Sequence, residues 1–229
     1  MLSPPHISKI SLAIGTFVVA SCSIIYELTL AQTMSSLFGG TVLRYAVTVG
    51  LYIASMGFGV VVFELNKTKL DLVSSFINLE MTLAILGACF PFAMIVLTSS
   101  LSTVAFGALA SVSLCHIFVI IIGFLSGIEL PLLMEAGEKA SVSSGSQVLA
   151  FDYLGTVAGC FTFPLFLLPS LGLFATALSL ALANALIAFI FAWQQSYSRT
   201  RSAMLLTTIM GLLIFSDTIS EYILKEFYL

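Results

Sequence analysis

Charge is what this sequence has least of. Eight Lys or Arg and 11 Asp or Glu leave 8% of its 229 residues charged, where a soluble domain needs about a quarter. Glycine-rich phosphate loops of the G-x-G-x-x-G or G-x-x-x-x-G-K-[ST] type are missing, which removes the usual nucleotide sites. The net charge is −3 and the few basic residues are scattered, so the basic footprint of a nucleic-acid binder is missing too. Cys22, Cys89, Cys115 and Cys160 show no C-x-x-C spacing and read as small apolar packing residues. With only His6 and His116, neither a bis-histidine haem nor a histidine metal site has its partners, and His116 is expected to make an interhelical hydrogen bond. No metal and no cofactor is expected.

What remains is apolar. Hydrophobic residues make up 59% of the chain and the mean hydropathy is +1.14. The apolar stretches run to about 20 residues or more, the length a helix needs to cross ~30 Å of hydrocarbon, and lack the ten-residue alternation of a membrane barrel. An all-α integral membrane protein is expected, a single transmembrane domain over 1–229 with the lipid bilayer as its first partner. Seven spans are read at 10–36, 42–64, 71–97, 103–130, 147–168, 171–194 and 203–224. The seventh is the weakest, because Ser216, Asp217, Ser220 and Glu221 follow a short apolar run, so it either crosses or lies along the surface. Val19-Ala20-Ser21-Cys22 imitates a lipoprotein cleavage box, but the apolar run continues through Ser23-Ile24-Ile25, so span one is retained.

The spans repeat. Glu27-Leu28 with Leu30 recurs as Glu129-Leu130 with Leu132; Val42-Leu43-x-Tyr45 recurs as Val148-Leu149-x-Phe151; Asn78 reappears as Asn184. Three spans separate each element from its copy, so the copies enter the bilayer in opposite senses. The expectation is a 3+3 inverted repeat, 10–97 and 103–194, plus one additional helix at 203–224.

Orientation follows from the basic residues. A cytoplasmic N-terminus puts Lys9, Lys67, Lys69, Lys139, Arg199 and Arg201 inside and leaves Arg44 and Lys225 outside, the bias expected of a bacterial inner-membrane protein. The longest polar connection, Glu135 to Gln147, is too short for a soluble domain.

An ionised side chain in a membrane helix costs several kcal/mol unless it is paired, hydrated or protonated, so unexplained carboxylates are functional candidates. Glu27, Glu80, Glu129 and Asp152 qualify. Glu80 lies about 14 Å deep at 1.5 Å per residue, and shares the cytoplasmic half with Glu129 and Asp152. Glu27, in the outer half, has Arg44 as its basic neighbour, and a structural ion pair is expected. Glu129 and Asp152 have no cation. Either they face each other, and then share a proton or hold a cation, or each caps a helix end, a role that suits Asp152 near the start of span five. Gly123-x-x-x-Gly127 and Gly155-x-x-x-Gly159 would let spans four and five approach closely. Pro131 is expected to end the Glu129 helix, and Pro164 to break the ladder of span five.

These motifs resemble a family. Tyr26-Glu27-Leu28, Met56-Gly57-x-Gly59, Gly123-Phe124-x-x-Gly127-x-Glu129-x-Pro131, and Asp152-Tyr153-Leu154-Gly155 followed by Gly159, Pro164, Pro169 and Gly172 look like the membrane domain of membrane-bound spermidine-synthase-like proteins, the polyamine aminopropyltransferase type. The resemblance covers about 10–195. It implies a membrane region usually fused to a soluble domain that binds decarboxylated S-adenosylmethionine and a polyamine. None of that domain's active-site residues has a place here, so its catalysis does not carry over. Two expectations follow: a membrane subunit or anchor serving a separately encoded partner, soluble or membrane-embedded, or a small transporter of a cationic or amphipathic solute. The ligand candidates are Glu129, Asp152, Glu80 and Tyr153, with a polyamine as the cationic group.

The orientation is directly testable. With the native cysteines replaced, an impermeant thiol reagent added outside should label a cysteine introduced at Ser100 and spare one at Ser143; external labelling at Ser143 would reverse the topology.

Overall fold

In a computed structural model, which describes residues 8–101 and 106–228, helices account for nearly all of the chain and no strand occurs among the described residues. Helix α1 spans Lys9–Phe38, α2 Thr41–Asn66, α3 Leu72–Leu101, α4 Gly107–Lys139, α5 Gly145–Thr162, α6 Leu168–Gln195, α7 Arg199–Ile214 and α8 Ser216–Tyr228. A 3-10 turn at Lys67–Lys69 links α2 to α3, and a π-helical turn at Phe163–Leu167 joins α5 to α6. His6, singled out in the sequence, lies outside the described residues.

Local chemistry sets the boundaries. Ser8 caps α1 by accepting from the Ser11 N–H at 3.0 Å. Gly39 and Gly40, at φ of 67° and 65°, turn the chain from α1 into α2 in the left-handed region that glycine enters without steric cost. Ser144 caps α5, accepting from the Gln147 N–H at 3.4 Å, and the Glu138 carboxylate accepts from the Gly145 N–H at 3.1 Å, so the end of α4 ties down the start of α5.

Among the described residues, five helical stretches are long and apolar enough to cross a membrane, and a sixth qualifies if α7 and the start of α8, bent by 65°, count as one. The seven expected spans differ from this in three places. The break between the helices expected at 147–168 and 171–194 falls at Gly172 (φ 70°, ψ −176°), a few residues beyond the expected 169–170. The expected span 203–224 is two short helices. Helix α4 does not stop at Pro131 but continues to Lys139, turning Glu135 and Lys139 into its last turn and shortening the polar connection. Pro131 removes a single N–H, the one that would reach the Gly127 carbonyl; in apolar surroundings, abandoning the helix would orphan many more backbone groups. Pro164, by contrast, falls in the π-helical turn, where the ladder changes register.

Helix α1 is central, touching α2, α4, α5 and α6. The broadest contacts join α2 to α4, α3 to α6 and α1 to α5; α7 packs on α6, and α8 on α3 and α6. Small residues allow two of them. A Cβ on Gly127 would strike the Met56 carbonyl oxygen, and one on Gly59 that of Phe124, so α2 and α4 meet backbone to backbone. Gly155 lies equally close to the Phe17 carbonyl and Gly159 packs against the Ile24 side chain and the Ser21 carbonyl, while the Ser21 hydroxyl donates to the Gly155 carbonyl at 2.9 Å. The glycine pairs expected to bring α4 and α5 together instead seat α4 on α2 and α5 on α1.

A leucine at Gly127 or Gly155 must push two helices apart and should destabilise the protein by about 1–3 kcal/mol. Ala at Gly50, with nothing within 4 Å of an added Cβ, should be neutral or stabilising by up to about 1 kcal/mol; thermal unfolding in detergent compares them.

Candidate functional site

Between these two glycine-packed pairs lies a cleft of about 420 Å³. Its floor is α1 and α4, one wall is α2 (Ile53, Met56, Gly57, Val60), and the other is α5 (Asp152, Thr156). Along α1 the lining residues Thr16, Val19, Ala20, Ser23 and Glu27 recur every three or four positions, one face of a helix; along α4 Ser126, Glu129, Leu130 and Leu133 do the same.

The cleft is mostly apolar, with polar groups in one band. The Tyr52 hydroxyl, from fully buried α2 side chain, lies 3.0 Å from Ser126 Oγ, 3.1 Å from the Ser23 carbonyl oxygen and 3.3 Å from Ser23 Oγ. Three helices are thus stitched at the level of Ser23 and Ser126. Sequence reasoning passed over this trio because lone Ser and Tyr residues in apolar spans carry no spacing signal; their positions one turn from Glu27 and Glu129 were the available clue.

Around that band stand the carboxylates. Glu27, Glu129 and Asp152 all line the cleft; Glu27 and Glu129 retain 6% and 4% exposure and Asp152 is half-buried. Asp152 lies two turns into α5, whose cap is Ser144, so it faces the cleft and not a helix end. Glu80, on α3, is completely buried beside Glu129, and neither of its carboxyl oxygens has a hydrogen-bond partner. The sequence placed Glu80, Glu129 and Asp152 in one half of the bundle and left Asp152 either to face Glu129 or to cap its helix; Glu80 joins Glu129 as well, because α3 packs directly on α4.

The expected Glu27–Arg44 ion pair is not formed. Arg44 stands over the Phe38 ring, 5.3 Å from its centroid, at the turn between α1 and α2, beyond the reach of Glu27 nearly three turns earlier. Among the described residues, the ion pairs join Lys67 to Glu64 at 2.8 Å and to Glu135 at 3.7 Å, and Lys139 to Glu135 at 3.4 Å, clasping the C-terminal ends of α2 and α4. None reaches the cleft. Tyr153 is 63% exposed and does not line it, because the residue after Asp152 turns about 100° away around the helix. His116 pairs Nδ1 with the Val112 carbonyl of its own helix at 2.7 Å, which replaces the expected interhelical bond.

The chain is similar to proteins named polyamine aminopropyltransferase. One from Leptospira interrogans is 29% identical over 95% of this chain and 44% of its own length. Polyamine aminopropyltransferase 2 of Ralstonia nicotianae is 33% identical over 80% of the chain and 35% of its own length, and polyamine aminopropyltransferase 1 of Streptomyces coelicolor 28% over 96% and 40%. The chain therefore matches part of such spermidine-synthase-like proteins, spanning less than half the length of these curated relatives. No family model and no solved structure matches it.

Replacing Tyr52 by Phe should cost about 1–2 kcal/mol by stranding its buried partners. A Tyr52→Phe, Ser126→Ala double variant should lose less than the sum of the singles, by at least about 0.5 kcal/mol, because the two groups share one network; thermal denaturation of all four proteins measures it.

Proposed function

We propose that this chain is a membrane-spanning unit whose cleft engages a cationic group, a polyamine in the first instance, and that it works with a separately encoded partner. The carrying observation is that Glu27, Glu129 and Asp152 line one apolar cleft that no basic side chain of the described residues reaches. Carboxylates in such surroundings gain most from an ammonium group brought in by a ligand. The polyamine comes from the names of the relatives, and more than half of each relative lies beyond the region matched here. The clasp of Glu64, Lys67, Glu135 and Lys139 marks the cytoplasmic end of the bundle in the orientation given by the basic residues.

A second reading, a small secondary transporter, draws on two observations. Exchanging α1 with α4, α2 with α5 and α3 with α6 carries the main helix contacts into one another: α1–α5 becomes α4–α2, α1–α6 becomes α4–α3, α1–α2 becomes α4–α5, and α3–α6 and α1–α4 map onto themselves. That is the packing an inverted repeat produces, with its ligand site at the interface of the halves. Glu27 also borders a second recess, lined by Gln32, Ser35, Val42 and Tyr45, so it stands where two openings meet.

Binding of labelled spermidine to the purified chain tests the main reading. Glu129→Gln and Asp152→Asn should each weaken binding about tenfold, roughly 1.4 kcal/mol, more than Glu27→Gln, while Glu64→Gln, at the exposed clasp, leaves it unchanged. Equal binding by all variants would contradict the site. Uptake of spermidine into vesicles by the chain alone would promote the transporter over the subunit.

A further inference from the structure

Glu80 poses a problem that the cleft does not answer. Its side chain is fully buried, and neither carboxyl oxygen meets an N–H or O–H donor of any other residue. The acidic group it faces across the packed α3–α4 contact is the Glu129 carboxyl, itself an acceptor when ionised. Two carboxylates cannot bond to each other; one proton between them supplies the missing donor. The surroundings offer no other compensation. Cys22, Tyr26 and Glu27 face this region from α1, Tyr52 from α2 and Asp152 from α5, all neutral or acidic, and α6, packed along α3, carries no charged residue anywhere in its length. The Tyr26 hydroxyl, against Gly87 of α3, is likewise buried without a partner. A metal ion is a poor alternative, since among the described residues no group of three His, Cys, Asp or Glu side chains is placed to hold one.

We propose that Glu80 and Glu129 form a buried dyad that holds one proton between two carboxyl groups and gives it up when a cationic group enters the cleft. Glu129 makes the exchange possible, because it touches Glu80 on one side and lines the cleft on the other. Charge balances through the step. The dyad with its proton carries one negative charge; after an ammonium group docks against Glu129 and the proton leaves to water, two carboxylates and one ammonium again sum to one negative charge. The exchange therefore avoids burying a second uncompensated charge, which would cost several kcal/mol. The coupling half of this proposal rests on the cationic reading of the cleft; the dyad itself does not.

Infrared spectroscopy of the purified full chain at neutral pH tests the dyad. The expected result is the carbonyl band of an un-ionised carboxylic acid, altered in Glu80→Gln and in Glu129→Gln but retained in Glu64→Gln. A wild-type protein without that band overturns the dyad, and this arm needs no variant to fold. Adding spermidine in weak buffer tests the coupling: about one proton released per amine bound, lost in Glu80→Gln, supports it, and binding without proton release overturns it. Failure of spermidine to bind at all removes the cleft reading and its coupling together, while the infrared band alone decides the dyad.

Discussion

Burying carboxyl groups in an apolar bundle without a cation is the constraint on which this structure turns. Glu27, Glu80, Glu129 and Asp152 come from α1, α3, α4 and α5, and each position makes sense only in relation to the others. Ionised and alone, each would cost several kcal/mol; with a shared proton or a docked ammonium group, the cost falls. The rest of the bundle serves that arrangement. Glycines let α2 lie on α4 and α5 on α1, which leaves α1 and α4 as the floor of a cleft walled by α2 and α5. The Tyr52, Ser23 and Ser126 trio holds the floor and one wall in register, about one turn from Glu27 and from Glu129.

Basic residues, by contrast, are kept at the ends. Lys67 and Lys139 are spent on Glu64 and Glu135, Arg44 on the Phe38 ring, and Arg199 on the Trp193 ring and carbonyl. This segregation leaves the cleft carboxylates without a lysine or arginine partner among the described residues, which is the basis of the cationic ligand proposed for the cleft. The apolar walls suit a ligand with methylene groups between or beyond its charged centres.

The length of the apolar stretches made the helical architecture legible, because a run of about 20 apolar residues without strand alternation is long enough only as a helix. Neighbours across helices were harder to read. Glu80 lies buried beside Glu129, and Arg44 leaves Glu27 for Phe38, because packing and side-chain reach decide those contacts and neither leaves a trace in spacing. Gly123, Gly127, Gly155 and Gly159 announced close packing but not against which helix; four small residues fit any backbone that approaches. Pro131 illustrates the opposite error. The rule that proline ends a helix holds in water, where freed backbone groups are solvated, and yields in apolar surroundings, where continuing the helix orphans fewer of them.

The electrostatic character of the cleft is the central claim, and one kinetic comparison reaches it directly. A single cysteine placed at Thr156, on the α5 wall, in a chain freed of its native cysteines, would be modified by a cationic and by a neutral thiol reagent of similar size. The account predicts faster reaction with the cationic reagent and slowing of that reaction by spermidine. Equal rates for the two reagents, unaffected by spermidine, would contradict it.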